Sequence, residues 1–165
     1  DYIVEIEKDV ERLKTITERF SKIGSLPTLE TADIIKETVE SYDYLKARSS
    51  KLIEFEIITP NGEIPVELNK QLYSWTIENL VKNAIDAMKG RGRLTIEISQ
   101  LENNVKVSVK DTGKGLSKKH FSKIFEPGFT TKKRGWGLGL SLTRRIIEDF
   151  HNGKIKVLES EKDKK

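Results

Sequence analysis

The 165 residues predict an α+β domain, a sheet covered on one face by helices and preceded by a long helix. Two periodicities carry that prediction. Apolar residues recur every three to four positions in four segments, as on one face of a helix, and alternate with polar residues in three others, as in half-buried strands. The length suits a single domain with a modest appendage.

The first segment places Ile3, Ile6, Val10, Leu13, Ile16, Phe20 and Ile23 on one narrow stripe. Such a stripe fits a hairpin or coiled-coil partner, or packing on its own domain. Gly24 and Pro27 end it. Thr31 or Asp33 then caps a second helix carrying Ile34, Ile35, Val39, Tyr42 and Leu45. Ile53, Phe55 and Ile57 alternate as a strand. Pro60-Asn61-Gly62 turns the chain, and residues 64–66 return as a short strand. A third helix runs from about Asn69 to Met88 and stops at Gly90 and Gly92. Leu94, Ile96 and Ile98, then Val105, Val107 and Val109, form a hairpin turning through Glu102-Asn103-Asn104. A loop-rich stretch runs from Asp111 to Gly139. Leu140 to His151 is an amphipathic helix closed by Asn152-Gly153, and Ile155 and Val157 start a last strand.

Basic and acidic residues number 30 and 26, and the two signs mix along most of the chain, which argues against a nucleic-acid partner. The chain has no cysteine, so disulfides and cysteine-built zinc sites are excluded. No apolar run approaches the roughly 20 residues that span a bilayer. No secretory signal pattern opens the sequence. These features predict a cytoplasmic setting and leave open a membrane anchor on a longer parent protein.

Asn79, Asn83 and Asp86 share one face of the third helix. Asparagine is a poor helix former because its amide competes for the backbone, so two on one face ask for a reason. Solvent exposure is one reason. The other is that Asn83 offers an amide oxygen to magnesium, which takes few protein oxygens and lets phosphates fill the remainder. Next, Asp111-Thr112-Gly113-Lys114-Gly115 ends a strand on a carboxylate that can accept a hydrogen bond from an amine such as that of adenine. Gly113 and Gly115 let the backbone approach a flat ring. Gly135-Trp136-Gly137-Leu138-Gly139-Leu140 leads into a helix and can present N–H groups to phosphates. It matches neither the dinucleotide fingerprint nor a Walker A loop. Between the two glycine segments, Phe125 and Phe129 can anchor a lid, and Lys132-Lys133-Arg134 can offset phosphate charge.

Residues 78–88, Glu-Asn-Leu-Val-Lys-Asn-Ala-Ile-Asp-Ala-Met, resemble the N box of sensor histidine kinases. Residues 111–115 resemble their first glycine box, residues 125–132 their F box, and residues 135–140 their second glycine box. The order and spacing also agree over roughly residues 65 to 158. The wording of the N box and lid is most similar to the nitrogen-regulation branch. The resemblance implies a Bergerat ATP-binding fold, a two-layer α/β sandwich with a mixed sheet. It implies that ATP and Mg2+ are bound, with Asn83 on the metal and Asp111 on the adenine amine. Gly113 and Gly115 would lie at the base. Thr131, Lys132, Gly137, Leu138, Gly139 and Leu140 would lie at the phosphates, with Lys132 or Arg134 as the lid cation. Asn79 would replace the glutamate base of ATP-hydrolysing relatives and, with Lys132, serve catalysis. Asp86 stands where many members have lysine and would flank the nucleotide.

The implied activity is transfer of the ATP γ-phosphoryl group to a histidine on another segment. The resemblance divides the chain into residues 1–26, part of a dimerising helical hairpin, and residues 27–165, the ATP-binding domain. It implies as partners the histidine-bearing helix, a second copy of the parent protein and a response regulator. Neither His120 nor His151 is followed by an acidic residue on a helix, as the family's phosphoacceptor usually is, and the family's final Gly-Thr-x-Phe strand is not found. Both ends therefore read as cuts in a longer protein. An anti-sigma-type serine kinase, an ATPase of the same superfamily, or a nucleotide-switched binding module are the competing readings.

Overall fold

A computed structural model describes residues 27–130 and 139–160, together with residues 3, 4, 6, 7, 10, 11, 14, 15, 18 and 21. Those ten early residues are helical, and Ile3, Ile6 and Val10 of the predicted stripe stand exposed. Leu13, Ile16, Phe20 and Ile23 lie outside the described residues.

The chain then forms β1 (Glu30–Asp33), α1 (Ile34–Arg48), β2 (Ile53–Ile58), β3 (Pro65–Leu68) and α2 (Lys70–Ala87). The hairpin of β4 (Gly92–Gln100) and β5 (Val105–Asp111) follows. Two single 3-10 turns, Lys118–His120 and Lys123–Phe125, precede α3 (Gly139–Arg145), whose helical path continues as a π-turn over Ile146–Phe150. The main sheet has the order β2-β4-β5, with β2 parallel and β5 antiparallel to the central β4. β1 and β3 form a separate antiparallel pair. The predicted α+β class with a mixed sheet is what the chain adopts.

Alternation sets the inner face of the sheet. Ile96 is fully buried and lies opposite Ile57 on one side and Val109 on the other. Leu94 and Ile98 extend this apolar row, and Ile77, Val81 and Ala84 of α2, with Met88 just past its end, cover it. Burying a large aliphatic side chain contributes about 1.5–3 kcal/mol, so this row is the main source of stability. A second cluster joins Leu72 of α2 to Leu142 and Ile146, with Trp75 and Phe150 against it. α2 is therefore covered on two sides, by the sheet and by α3.

Asp33, rather than Thr31, caps α1. Its carboxylate accepts from the N–H groups of Ile35 and Lys36, and also from Ile64 across the turn, at 3.0–3.3 Å. Thr31 instead lies in β1, opposite Glu67, and its hydroxyl donates to that carboxylate. β1 was not expected, because Glu-Thr-Ala-Asp contains a single apolar residue and no alternation. The last strand expected at Ile155 and Val157 does not form: residues 151–160 carry no ladder. Two alternating apolar residues flanked by Lys154 and Lys156 bury too little to hold a strand without a paired neighbour. Both are half-buried, and the segment is tied down at its end, where Ser160 Oγ accepts from Leu116 N–H at 2.6 Å.

Tyr73 of α2 joins the helices. Thr38 Oγ1 donates to Ile34 O at 2.6 Å and lies 2.6 Å from Tyr73 Oη, whose proton it can therefore accept. Burial pushes the Tyr73 phenol up to about 12. Among the described residues no helix is long and apolar enough to cross a membrane.

Candidate functional site

α2 is the floor of the site, and its sequence changes character along one stripe. Leu72 and Trp75 begin the stripe beneath α3. Asn79, Asn83 and Asp86 continue it, at spacings that keep all five on one side of the helix. The apolar half lies under α3. The polar half begins where α3 begins, at Gly139, and the chain ahead of that point is the second glycine segment. Asn79 and Asn83 are half-buried, and Asp86 is exposed.

The far end of α2 meets the first glycine segment. Lys114 N–H donates to Ala87 O at 3.1 Å. A Cβ at Gly113 would lie 2.6 Å from the carbonyl carbon and oxygen of Ala87, so only glycine permits this approach. Asp111 Oδ1 accepts from Gly113 N–H at 2.8 Å, which fixes the carboxylate at the strand end and turns the chain. Thr112 Oγ1 accepts from Arg93 N–H at 3.0 Å and staples the same loop to β4. Gly115 takes a positive φ of 72°. The predicted Asp111 and Gly113 thus form one corner against the end of α2, and Gly115 turns the chain beyond it.

The middle of α2 meets the second glycine segment. Asn79 Nδ2 donates to Thr143 Oγ1 at 2.8 Å. A Cβ at Gly139 would fall 2.6 Å from Asn79 Oδ1. Gly139 and Leu140 open α3 and are half-buried. Thr131, Lys132, Lys133, Arg134, Gly137 and Leu138 lie outside the described residues. Asn79 and Ala87 are eight residues apart on one helix, about 12 Å at 1.5 Å per residue. Asn83 sits midway, one turn from each contact. Sequence reasoning had not assigned Thr143, and no motif letter marks it. Only its placement four residues beyond Gly139 hints that its hydroxyl can reach back to that residue's carbonyl.

The chain between the two glycine segments is anchored on α3 at Phe125. Phe125 is buried, and the Arg144 guanidinium of α3 lies 6.0 Å from its ring centroid. Arg144 also pairs with Glu148 at 2.9 Å, and this hydrogen bond holds the Glu148 carboxyl below its ordinary range. His120 packs on Phe129 at 5.3 Å between ring centroids. His151 has both ring nitrogens engaged. Nε2 accepts from Asn69 N–H at 3.0 Å, so Nδ1 carries the proton and donates to Ile146 O at 2.8 Å. His151 thus closes the π-turn and ties that turn to the start of α2.

A floor helix with a glycine corner at one end and a glycine segment at its middle defines a protein class that comparisons identify. Residues 56–165 match the histidine kinase-, DNA gyrase B-, and HSP90-like ATPase family, and the chain belongs to it. Sporulation kinase E of Bacillus subtilis (strain 168) is 30% identical over 171 residues, covering 99% of this chain and 22% of that kinase. The chain therefore spans about a fifth of that relative. The catalytic domain of the histidine kinase ThkA, in a nucleotide-free form, is 36% identical with a TM-score of 0.71, over 78% of this chain and 85% of that one. ThkA in complex with the response regulator TrrA matches 94% of this chain and 46% of that one, at 32% identity and a TM-score of 0.76. The fold is that of a histidine kinase catalytic domain, and ATP is the nucleotide of such kinase domains.

Proposed function

We propose that this chain binds Mg2+-ATP along α2 and presents the γ-phosphoryl group to a histidine carried on another segment of a sensor kinase. The observation that supports this most is the double contact of α2, with Gly113 at Ala87 and Gly139 at Asn79. Gly113 comes up against the backbone of Ala87 and Gly139 against the side chain of Asn79, so both glycine segments are drawn onto one helix, where a nucleotide could lie between them.

Asp111 uses one carboxylate oxygen on its own turn, and a carboxylate has two. The second would accept from the adenine amine, with Gly113 and Gly115 beside the ring. Gly137, Leu138, Gly139 and Leu140 would line the phosphates, with Thr131 and Lys132 or Arg134 closing from the lid. Asp86, at the exposed end of the stripe, would flank the nucleotide. Magnesium is held through few protein oxygens and through phosphates. Asn83, midway between the two contacts, is the residue that would offer its amide oxygen. Bound magnesium would neutralise charge on the phosphates.

In the transfer, the bond from the γ-phosphorus to the β–γ bridging oxygen breaks and a bond to an imidazole nitrogen forms, leaving ADP. The protein's part is positioning and charge neutralisation. Asn79 carries an amide, which cannot take a proton from water, so the site favours transfer over hydrolysis. His151 is unsuited to accept the phosphoryl group, because both its nitrogens hold other groups. The exposed Ile3, Ile6 and Val10 suit a companion helix, in a homodimeric parent protein that passes its phosphoryl group to a response regulator.

The test is a calorimetric titration with a non-hydrolysable ATP analogue and magnesium. Binding is expected, and Asp111→Asn should weaken it at least about tenfold, the loss of a charge-assisted hydrogen bond. No binding by the unmodified chain would falsify the proposal. Radiolabelled ATP with an added histidine-bearing hairpin should place acid-labile label on the hairpin. Acid-stable label on serine would point to a serine kinase instead.

A further inference from the structure

We propose that Thr143 is a positioning residue for the phosphate end of the site, its one hydroxyl fixing Asn79 and Gly139 relative to each other. The proposal rests on the ATP site set out above.

Thr143 is fully buried in the first turns of α3. Its Oγ1 donates to Gly139 O at 2.9 Å and accepts from Asn79 Nδ2 at 2.8 Å. A threonine that only bonds back to the carbonyl four residues earlier makes a local contact within its own helix. Here the same oxygen also reaches across to α2, so two elements share one atom. The hydroxyl has a single proton, and Gly139 O takes it. Asn79 can therefore meet Thr143 only through its nitrogen. Turning the amide over would set two acceptor oxygens against each other in a buried place, an arrangement that costs the bond and the desolvation of both groups.

That constraint fixes how the Asn79 amide lies against Gly139. Its oxygen is 2.6 Å and its nitrogen 3.1 Å from the point a Gly139 Cβ would occupy. The spacing of α2 from the last glycine is then set by a chain of three groups: amide, hydroxyl and carbonyl. Valine at 143 keeps the volume and removes both bonds. Serine keeps both. The effect belongs to the phosphate end, since Gly113, which Asp111 holds in its turn, meets α2 two turns away at Ala87.

The experiment compares unmodified protein, Thr143→Val and Thr143→Ser in calorimetric titrations with two probes, the magnesium complex of a non-hydrolysable ATP analogue and adenosine alone. The valine variant should bind the triphosphate about tenfold more weakly, the loss expected from one buried hydrogen-bonded relay. It should bind adenosine as the parent does, and serine should restore triphosphate binding. Equal affinity of the valine variant and the parent overturns the proposal. So does an equal loss for both probes, which would mark a general structural defect. An unmodified chain that binds neither probe defeats the ATP-site reading itself, and this proposal with it. Should the valine variant fail to fold, the side-chain amide protons of Asn79 in the unmodified protein decide by nuclear magnetic resonance. Slow exchange with water supports the relay, and exchange as fast as that of surface asparagines overturns it.

Discussion

Tyr73 is where burial acts most visibly on one titratable group. Its phenol ionises near 10 in the unfolded chain and is pushed up to about 12 in the fold. The stabilising difference is whole below pH 10 and is lost as pH rises through 12, because the unfolded chain ionises first. Two pH units correspond to roughly 2–3 kcal/mol. Urea unfolding of the parent and Tyr73→Phe should therefore show a gap of about 1 kcal/mol at pH 8, from the lost hydrogen bond to Thr38, that narrows above pH 10. A gap that stays constant to pH 11 contradicts this account. Gly113 makes a different kind of prediction. A methyl group there meets the Ala87 backbone, which cannot move aside as a flexible side chain would. Gly113→Ala should lower stability by about 1–3 kcal/mol in denaturant titrations. At this scale the sequence showed which residues matter sooner than what they touch. Asp111 and the glycines were legible from their order. Asn79 was legible as an anomaly, but its bond to Thr143 joins residues 64 positions apart, which no local pattern encodes.

α2 was the most legible element, since its expected span from Asn69 to Met88 differs from the observed helix only by the two capping residues. Asn69 shows why the start is so well defined. Its side chain accepts from Leu72 N–H at 3.0 Å and donates to Thr28 O at 3.1 Å, while its own N–H goes to His151. Asn69→Ala should cost about 1 kcal/mol, and Asn69→Gly less, by thermal unfolding. Equal costs would mean that the bond to Thr28, rather than the cap, is what matters. β1 and the absent last strand were the least legible elements. A four-residue edge strand has no room for a periodic signal, and its pairing with β3 depends on Asp33 holding Ile64 across the turn. Ile155 and Val157 do alternate, but alternation describes a side-chain pattern and says nothing about whether a neighbouring backbone is there to bond.

For the molecule as a whole, binding and stability are linked. A ligand that binds only the folded chain adds about 2.7 kcal/mol at a free concentration one hundred times its dissociation constant. In a chain of this size that should raise Tm by about 5–10 °C with the magnesium–ATP analogue, and a tenfold loss of affinity in Asp111→Asn should cut the shift to about half at the same concentration. The fold class was legible because two periodicities, one helical and one strand-like, were each repeated in several segments. The arrangement of the strands was not, since only the β4–β5 hairpin follows from adjacency. The parallel pairing of β2 with β4 has a kinetic consequence. The hairpin closes over a four-residue turn, whereas β2 and β4 pair residues 39 positions apart, across β3 and the whole of α2. Contacts of long sequence separation form late, because the loop they close must be ordered before they contribute. Gly113 follows the hairpin and Ala87 ends α2, so the corner that would hold the base exists only once that helix has docked on the hairpin. A nucleotide that needs this corner cannot speed folding. It can only hold the finished molecule shut, and its whole effect should fall on the rate of unfolding.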